Sequence, residues 1–254
     1  MPSPLPSTSR YLPAVFGGSH WFAQESFENI VIFGDSYSKL NDSQTWVDHL
    51  GRRLRKQNKE VEIHNFAFPG ATAEEDLSKQ LSRFFTVFPT KNSSSKTPPL
   101  DPDKTTFFIF LGINDCGSTD SDELEFVIET ILDTVHDLYV KAGARKFIFV
   151  NVPPIDRSPQ VVDSGSSDEI EERVKTWNDL LEAQMMEFGA SSKEAAVLLF
   201  SLHQVLTEVL ENPFTFDFSE DDPTTQGGGI WEDDLHLTIE VHDILAERLL
   251  ASVF

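Results

Sequence analysis

Two short blocks of the sequence carry the side chains that nucleophilic catalysis by a serine requires. The first, Gly34-Asp35-Ser36, offers a hydroxyl, and the last places His236 three residues after Asp233. A serine hydroxyl is a poor nucleophile until a base accepts its proton, and that base needs a partner that fixes its tautomer and stabilises the imidazolium. Residues three apart can meet on one face of a turn, whereas residues two apart point away from each other, so Asp233 rather than Asp234 is predicted to orient His236.

Two further blocks could stabilise the negative charge that develops on a carbonyl oxygen during acyl transfer. Gly70, in Phe68-Pro69-Gly70, could expose its backbone N–H, and Asn114, in Gly112-Ile113-Asn114-Asp115, carries an amide that can donate. Taken alone, every block also fits an ordinary turn or helix cap, since Pro-Gly, Gly-Asp-Ser and Asn are all common there. The prediction of an oxyanion site at Gly70 and Asn114 therefore depends on the blocks meeting in space.

The secondary structure predicted from hydrophobic periodicity would bring the blocks together. Short apolar runs typical of buried strands alternate with helical patterns, of which 122–142 is the clearest, with Gly143 as its C-cap. This alternation predicts a parallel sheet, and ligands bind beyond the carboxyl ends of such strands. The serine, glycine and asparagine blocks follow the first three strands, and the histidine block precedes the last helix. The predicted strands are 30–33, 61–66, 105–111, 146–150 and 196–202.

In this combination and order, the four blocks resemble those of the SGNH (GDSL-type) hydrolase family. The family's signature residues correspond to Ser36, Gly70, Asn114 and His236, with Asp233 as the acid. The resemblance implies an α/β fold, a three-layer α/β/α sandwich whose five-stranded, mainly parallel sheet has the flavodoxin-like order 2-1-3-4-5. It implies a serine esterase that forms an acyl-enzyme without a metal or an organic cofactor. The oxyanion would be held by the N–H groups of Ser36 and Gly70 and by the Asn114 side chain.

We expect the hydrolase domain to span residues 30–254, after an irregular N-terminal arm of residues 1–29. Within the family the sequence is most similar to fungal acetylesterases of carbohydrate esterase family sixteen. The similarity lies in Phe33-Gly34-Asp35-Ser36-Tyr37, in Gly70-Ala71-Thr72 and in Trp231 before the acid, although Leu237 stands where members commonly have proline. It implies short-chain, above all acetyl, ester substrates, including acetylated sugars, with Asp35 and Trp231 as substrate-binding residues.

Two other functions stay open from the sequence. A lipase or thioesterase of the same family would need an apolar groove for the acyl chain, which the Phe-rich segments 84–88 and 214–218 could line. A catalytically inactive relative could instead use the pocket, with Trp231, to bind carbohydrate. The complete set of triad and oxyanion residues favours an enzyme over such a binding module.

The composition limits the binding partners and the cell compartment that we expect. The 20 Lys and Arg against 42 Asp and Glu give a formal net charge of −22, which repels phosphate backbones, so we expect a small-molecule ester substrate and no nucleic acid. The single cysteine, Cys116, excludes an intramolecular disulfide framework. Because no apolar run approaches the roughly 20 residues that cross a bilayer and no secretory signal is visible, we expect no membrane insertion and a cytoplasmic protein. The acidic stretch 212–229 is expected to rim the pocket.

Overall fold

The centre of the fold is a sheet of six strands. In the computed structural model, which describes residues 9–17, 22, 24–57, 59–88 and 99–253, the strand order is β1-β6-β5-β4-β2-β3. Neighbouring strands among β2 to β6 are parallel, and β1 runs antiparallel beside β6 with Ala14 opposite Leu199. The strands are β1 (Ala14–Phe16), β2 (Asn29–Gly34), β3 (Glu62–Asn65), β4 (Thr105–Phe110), β5 (Lys146–Val150) and β6 (Ala196–Phe200).

Five of these strands confirm the predicted sheet, and the sixth corrects it. Strands β2 to β6 fall on the five apolar runs, and their order β3-β2-β4-β5-β6 is the predicted 2-1-3-4-5. The predicted count of five was wrong because β1 lies in the segment 1–29, which was predicted to be irregular. All three residues of β1 are buried, and they cover the edge of β6 that would otherwise present unpaired backbone groups.

Among the described residues, eight α-helices flank the sheet and complete the predicted three layers. Helix α1 packs on α8, whereas α2, α4 and α6 pack beside one another. Helix α4 continues into a π-helical turn, Leu138–Ala142, and ends as predicted at Gly143, whose φ is 76°. None of the described helices combines the length and the apolar character that crossing a membrane requires. The helices are α1 (Trp46–Lys56), α2 (Ala73–Val87), α3 (Ile113–Ser118), α4 (Leu124–Asp137), α5 (Pro159–Ser164), α6 (Ser167–Ser191), α7 (Leu202–Glu211) and α8 (Ile239–Val253).

The carboxyl ends of three neighbouring strands lie at the same edge of the sheet. Gly34, the last residue of β2, is opposite Phe110, the last residue of β4. Ile32 of β2 is opposite Asn65, the last residue of β3. Every residue of β4 and β5 is buried, as parallel strands covered on both faces require. Because these strands end at the same edge, the segments that carry the predicted nucleophile and oxyanion donors begin at that edge.

Candidate active site

The turn that carries Ser36 is fixed by the packing around Gly34. A side chain at Gly34 would place its Cβ 2.9 Å from the carbonyl oxygen of Phe110 and 2.8 Å from Ser38 Oγ, so only glycine fits there. The fully buried side chain of Gln80 holds the backbone of Gly34 through both its groups. It accepts the N–H at 2.9 Å through Oε1, and it donates to the C=O at 2.8 Å through Nε2. Ser36, which is only 4% exposed, therefore stands on a rigid turn at the end of β2.

Asp35, which was predicted to bind substrate, is an interior residue. It is fully buried, and its Oδ1 accepts the N–H of Tyr37 at 2.9 Å, while Oδ2 has no hydrogen-bond partner among the described residues. Burial, and to a smaller extent the charge of Asp115, raise the pKa of Asp35 to about 7, although the N–H of Tyr37 opposes the shift. The prediction was wrong because a carboxyl group with no accessible surface cannot touch a ligand in this structure.

Asp233 and His236 form the hydrogen-bonded pair that their spacing predicts. Asp233 Oδ2 lies 2.7 Å from His236 Nδ1, and Oδ1 accepts the backbone N–H groups of Leu235 at 2.8 Å and His236 at 2.6 Å. Burial acts to raise the pKa of Asp233, but these N–H donors and the imidazole outweigh it and hold the pKa below its usual value. The carboxylate is therefore ionised at neutral pH, and it orients both the ring and the backbone of His236.

The adjacent carboxylate, Asp234, stands apart from this pair. Its side chain is exposed, and its backbone carbonyl accepts the N–H of Gln160 at 2.8 Å. The segment closes through the N–H of Glu232, which donates to the carbonyl of His236 at 2.8 Å. Two acids that composition treats alike thus lie in different surroundings.

Trp231, the other predicted substrate-binding residue, is also buried. Its exposure is 0%, and its indole N–H donates to the carbonyl of Pro223 at 3.0 Å. The prediction was wrong because the ring offers no face to a ligand; the residue instead ties the acid–base segment to the stretch 212–229. That stretch is closed by Asp222, whose carboxylate accepts the N–H of Gly229 at 2.7 Å. Within the part of the chain that the structure describes, no group of three or more His, Cys, Asp or Glu could hold a metal ion.

Gly70 and Asn114 occupy adjoining turns at this edge of the sheet. Gly70 has a φ of 77° in a turn that the N–H of Ala71 closes on the carbonyl of Phe68 at 3.3 Å, so the Pro-Gly turn is present. Asn114 Nδ2 donates to the carbonyl of Ala71 at 2.9 Å, which leaves the second N–H of the amide available. The backbone N–H groups of Ser36 and Gly70 have no acceptor among the described residues. These three N–H donors therefore have no acceptor among the described residues.

The residues that flank Asn114 fix its position. Asp115 is buried and caps helix α2, since its carboxylate accepts the N–H of Ala73 at 2.9 and 3.1 Å. Burial raises the pKa of Asp115 to about 6 against the effect of these N–H donors. Gly112 has a φ of 120°, and a Cβ there would overlap the indole ring of Trp177. The third block is therefore tied to the second block on one side and to α6 on the other.

Sequence reasoning missed two residues that hold the site, Gln80 and Tyr37. A signal for Gln80 did exist: it lies on the buried face of α2 at helical spacing from Leu77 and Phe84, where a polar residue needs buried partners. Tyr37 donates its O–H to the carbonyl of Leu235 at 2.8 Å. The sequence carries no signal for that contact, because the two residues are 198 positions apart.

Known proteins resemble this chain in sequence and in fold. The family model for GDSL-like Lipase/Acylhydrolase matches residues 30–249, a range that includes every residue of the site. An acetylesterase from Thermothelomyces thermophilus is 26% identical over an alignment 267 residues long, gaps included. The alignment covers 88% of this chain and 87% of that relative. An acetylxylan esterase structure from Geobacillus stearothermophilus has a TM-score of 0.59 at 15% identity and covers 90% of this chain and 94% of its own. A carbohydrate acetylesterase structure from Sinorhizobium meliloti has a TM-score of 0.52 at 18% identity, covering 89% and 99%.

Proposed function

Since the chain belongs to the GDSL-like lipase/acylhydrolase family and is a carboxylic ester hydrolase, we propose that it is a serine esterase of short-chain, above all acetyl, esters. The observation that carries the proposal is the pairing of Asp233 with His236 at 2.7 Å. An ionised acid on Nδ1 leaves Nε2 unprotonated and able to accept a proton, which is the state that a general base requires.

In the proposed mechanism, His236 accepts the proton of Ser36 as the serine oxygen attacks the ester carbonyl. The tetrahedral oxyanion accepts hydrogen bonds from the N–H groups of Ser36 and Gly70 and from Asn114 Nδ2. His236 then returns the proton to the leaving alcohol, and the acyl group remains on Ser36. Water, deprotonated by the same histidine, attacks the acyl-enzyme and releases the carboxylic acid and the free serine.

Support for an acetyl group comes from the sequence blocks and from the relatives. The curated relative is an acetylesterase, and two of the structural relatives are an acetylxylan esterase and a carbohydrate acetylesterase. Acetylated sugars are accordingly the alcohol class that we propose. The net charge of −22 would favour release of an anionic product such as acetate.

One of the two segments offered for a longer acyl chain lies in the core. Phe84 and Phe88 are 1% and 8% exposed, so these two rings belong to the core and leave little surface for an acyl chain. Phe214 is different: it is 71% exposed and borders a cleft of about 450 Å³, which Leu210 and Pro213 line together with Glu211 and Glu220. This cleft is the observation that favours the second candidate, a lipase or thioesterase of the same family.

A panel of 4-nitrophenyl acetate, butyrate and octanoate, with acetylated xylo-oligosaccharides, tests the proposal. We expect the acetate to have the highest kcat/KM of the three chain lengths and the acetylated sugar to release acetate. A higher kcat/KM for the octanoate would replace the acetylesterase with the lipase candidate. Folded protein that hydrolyses none of these esters would favour the inactive carbohydrate-binding module. The Ser36→Ala variant is the control for enzyme-independent hydrolysis.

A further inference from the structure

Tyr37, the covalent neighbour of Ser36, touches the segments that carry three of the four blocks. It is fully buried, and its backbone N–H donates to Asp35 Oδ1 at 2.9 Å within the serine turn. Its ring lies edge-on to Phe110, at the end of the strand that leads to the asparagine block, with centroids 6.0 Å apart. Its ring centroid is also 6.1 Å from that of His236. Tyr37 thus contacts the segments of the nucleophile and of the base, and it has no solvent-accessible surface.

The phenol also fixes the backbone of the base. Tyr37 donates its O–H to the carbonyl of Leu235 at 2.8 Å. That carbonyl belongs to the peptide that joins Leu235 to His236, and the N–H of the same peptide donates to Asp233 Oδ1 at 2.6 Å. One peptide plane is therefore held on one side by the neighbour of the nucleophile and on the other side by the acid. Rotation of this plane would move the Cα of His236 and with it the imidazole.

The surroundings of the phenol keep it in the donor state. Burial, with the negative charges of Asp35 and Asp233, raises the pKa of Tyr37 well above its usual value. The ring also meets His242 edge-on, with centroids 6.0 Å apart. His242 is fully buried, and burial lowers its pKa to about 3, so it packs as a neutral ring. The contact between Tyr37 and Leu235 is thus a hydrogen bond between neutral groups whose phenol end is fully buried.

We propose that Tyr37 is a positioning residue that sets the distance between Ser36 and His236 through its hydrogen bond to the peptide of Leu235. The inference rests on the proposed serine esterase function. The chain after β2 and the chain before α8 come from opposite ends of the sequence, and this side chain joins them. Because Tyr37 is fully buried, it cannot contact substrate, so its loss should act on the proton transfer and not on substrate binding.

The test is the Tyr37→Phe variant, which keeps the ring and removes only the hydroxyl. We expect kcat for 4-nitrophenyl acetate to fall roughly tenfold with KM unchanged, the fold-change that corresponds to the loss of one hydrogen bond. Tyr11→Phe is the matched control. Tyr11 lies near the N-terminus and is also buried, and its O–H donates to Glu208 at 2.8 Å. That variant should keep the wild-type kcat.

A second background separates positioning from general disruption. If Tyr37 acts through His236, Tyr37→Phe should change the residual activity of a His236→Ala enzyme by less than about twofold, because coupled residues are not additive. A tenfold loss in both backgrounds, or a rise confined to KM, would overturn the inference. A smaller folded fraction would also lower the apparent kcat. The rate constant for inactivation by a 4-nitrophenyl phosphonate does not depend on the amount of folded enzyme, so it should fall with kcat if the folded enzyme itself is slower. Loss of activity in Ser36→Ala together with wild-type kinetics in Tyr37→Phe would refute this inference alone, whereas an active Ser36→Ala would refute the proposed function.

Discussion

The adjacent acids Asp233 and Asp234 offer a paired perturbation in which only one member should matter. Asp233→Asn keeps the shape of the side chain and replaces the carboxylate by an amide. Its Oδ1 can still accept the backbone N–H groups of Leu235 and His236 that it binds at 2.8 and 2.6 Å. The backbone of the segment should therefore survive, and the change is confined to the atom that faces the imidazole. Asp234→Asn makes the same chemical change at an exposed side chain.

The expected magnitude follows from the 2.7 Å contact between Asp233 Oδ2 and His236 Nδ1. In the asparagine variant an amide N–H would face Nδ1, which must then be the acceptor, so the ring proton moves to Nε2. A histidine in that tautomer cannot accept the proton of Ser36, and its imidazolium has lost a neighbouring charge. We expect kcat to fall by about 10² to 10⁴ for Asp233→Asn and by roughly threefold or less for Asp234→Asn.

The assay is steady-state hydrolysis of 4-nitrophenyl acetate by both variants at the same pH, with thermal melting to show that each is folded. We expect a large difference in kcat between the two variants and similar melting temperatures. Equal effects would mean that both acids contribute only to the negative field of the protein or to the helix that follows. A larger loss at Asp234 would refute the assignment of the acid while leaving Ser36 and His236 in place.

Three further predictions follow from the geometry. Asn114→Ala should lower kcat by about 10²- to 10³-fold, the usual loss for one oxyanion donor, and an effect on KM alone would assign Asn114 to substrate binding. Asp35, with its pKa raised to about 7, retains a proton in the folded state that the unfolded chain loses near pH 4, so its contribution to stability falls as the pH rises between these values. The free energy of unfolding of Asp35→Asn minus that of the wild type, measured in urea, should therefore be larger at pH 8 than at pH 4. A difference that does not change with pH would contradict this. Gly112→Ala should destabilise the fold by roughly 3 kcal/mol or more through its positive φ and its overlap with Trp177, whereas Gly117→Ala, which meets no atom within 4 Å, should unfold at nearly the wild-type urea concentration.

The sheet could be predicted from the sequence where burial leaves a pattern. Strands covered on both faces are continuously apolar, and β4 with its sequence Thr-Thr-Phe-Phe-Ile-Phe is the clearest case. Strand β1 could not be predicted this way, because three residues are too few to show a period and their antiparallel pairing with β6 is a tertiary event. Its residues are buried against β6 and α6, both of which are distant in sequence.

The site was predictable where its chemistry depends on local spacing. Asp233 and His236 are three residues apart, so a single turn brings them together. Whether a side chain faces the pocket or the core depends on elements distant in sequence, which is why Asp35 and Trp231 were wrongly assigned to substrate. The same holds for Tyr37, whose partner in the base segment is fixed by the tertiary fold alone.

Covalent trapping tests most directly whether Ser36 is the nucleophile. A 4-nitrophenyl phosphonate ester should release one equivalent of 4-nitrophenolate per chain and leave a single phosphonyl group. Peptide mass spectrometry should locate that group on Ser36, and the Ser36→Ala variant should acquire none. A phosphonyl group on another residue, or equal labelling of the wild type and Ser36→Ala, would contradict the account.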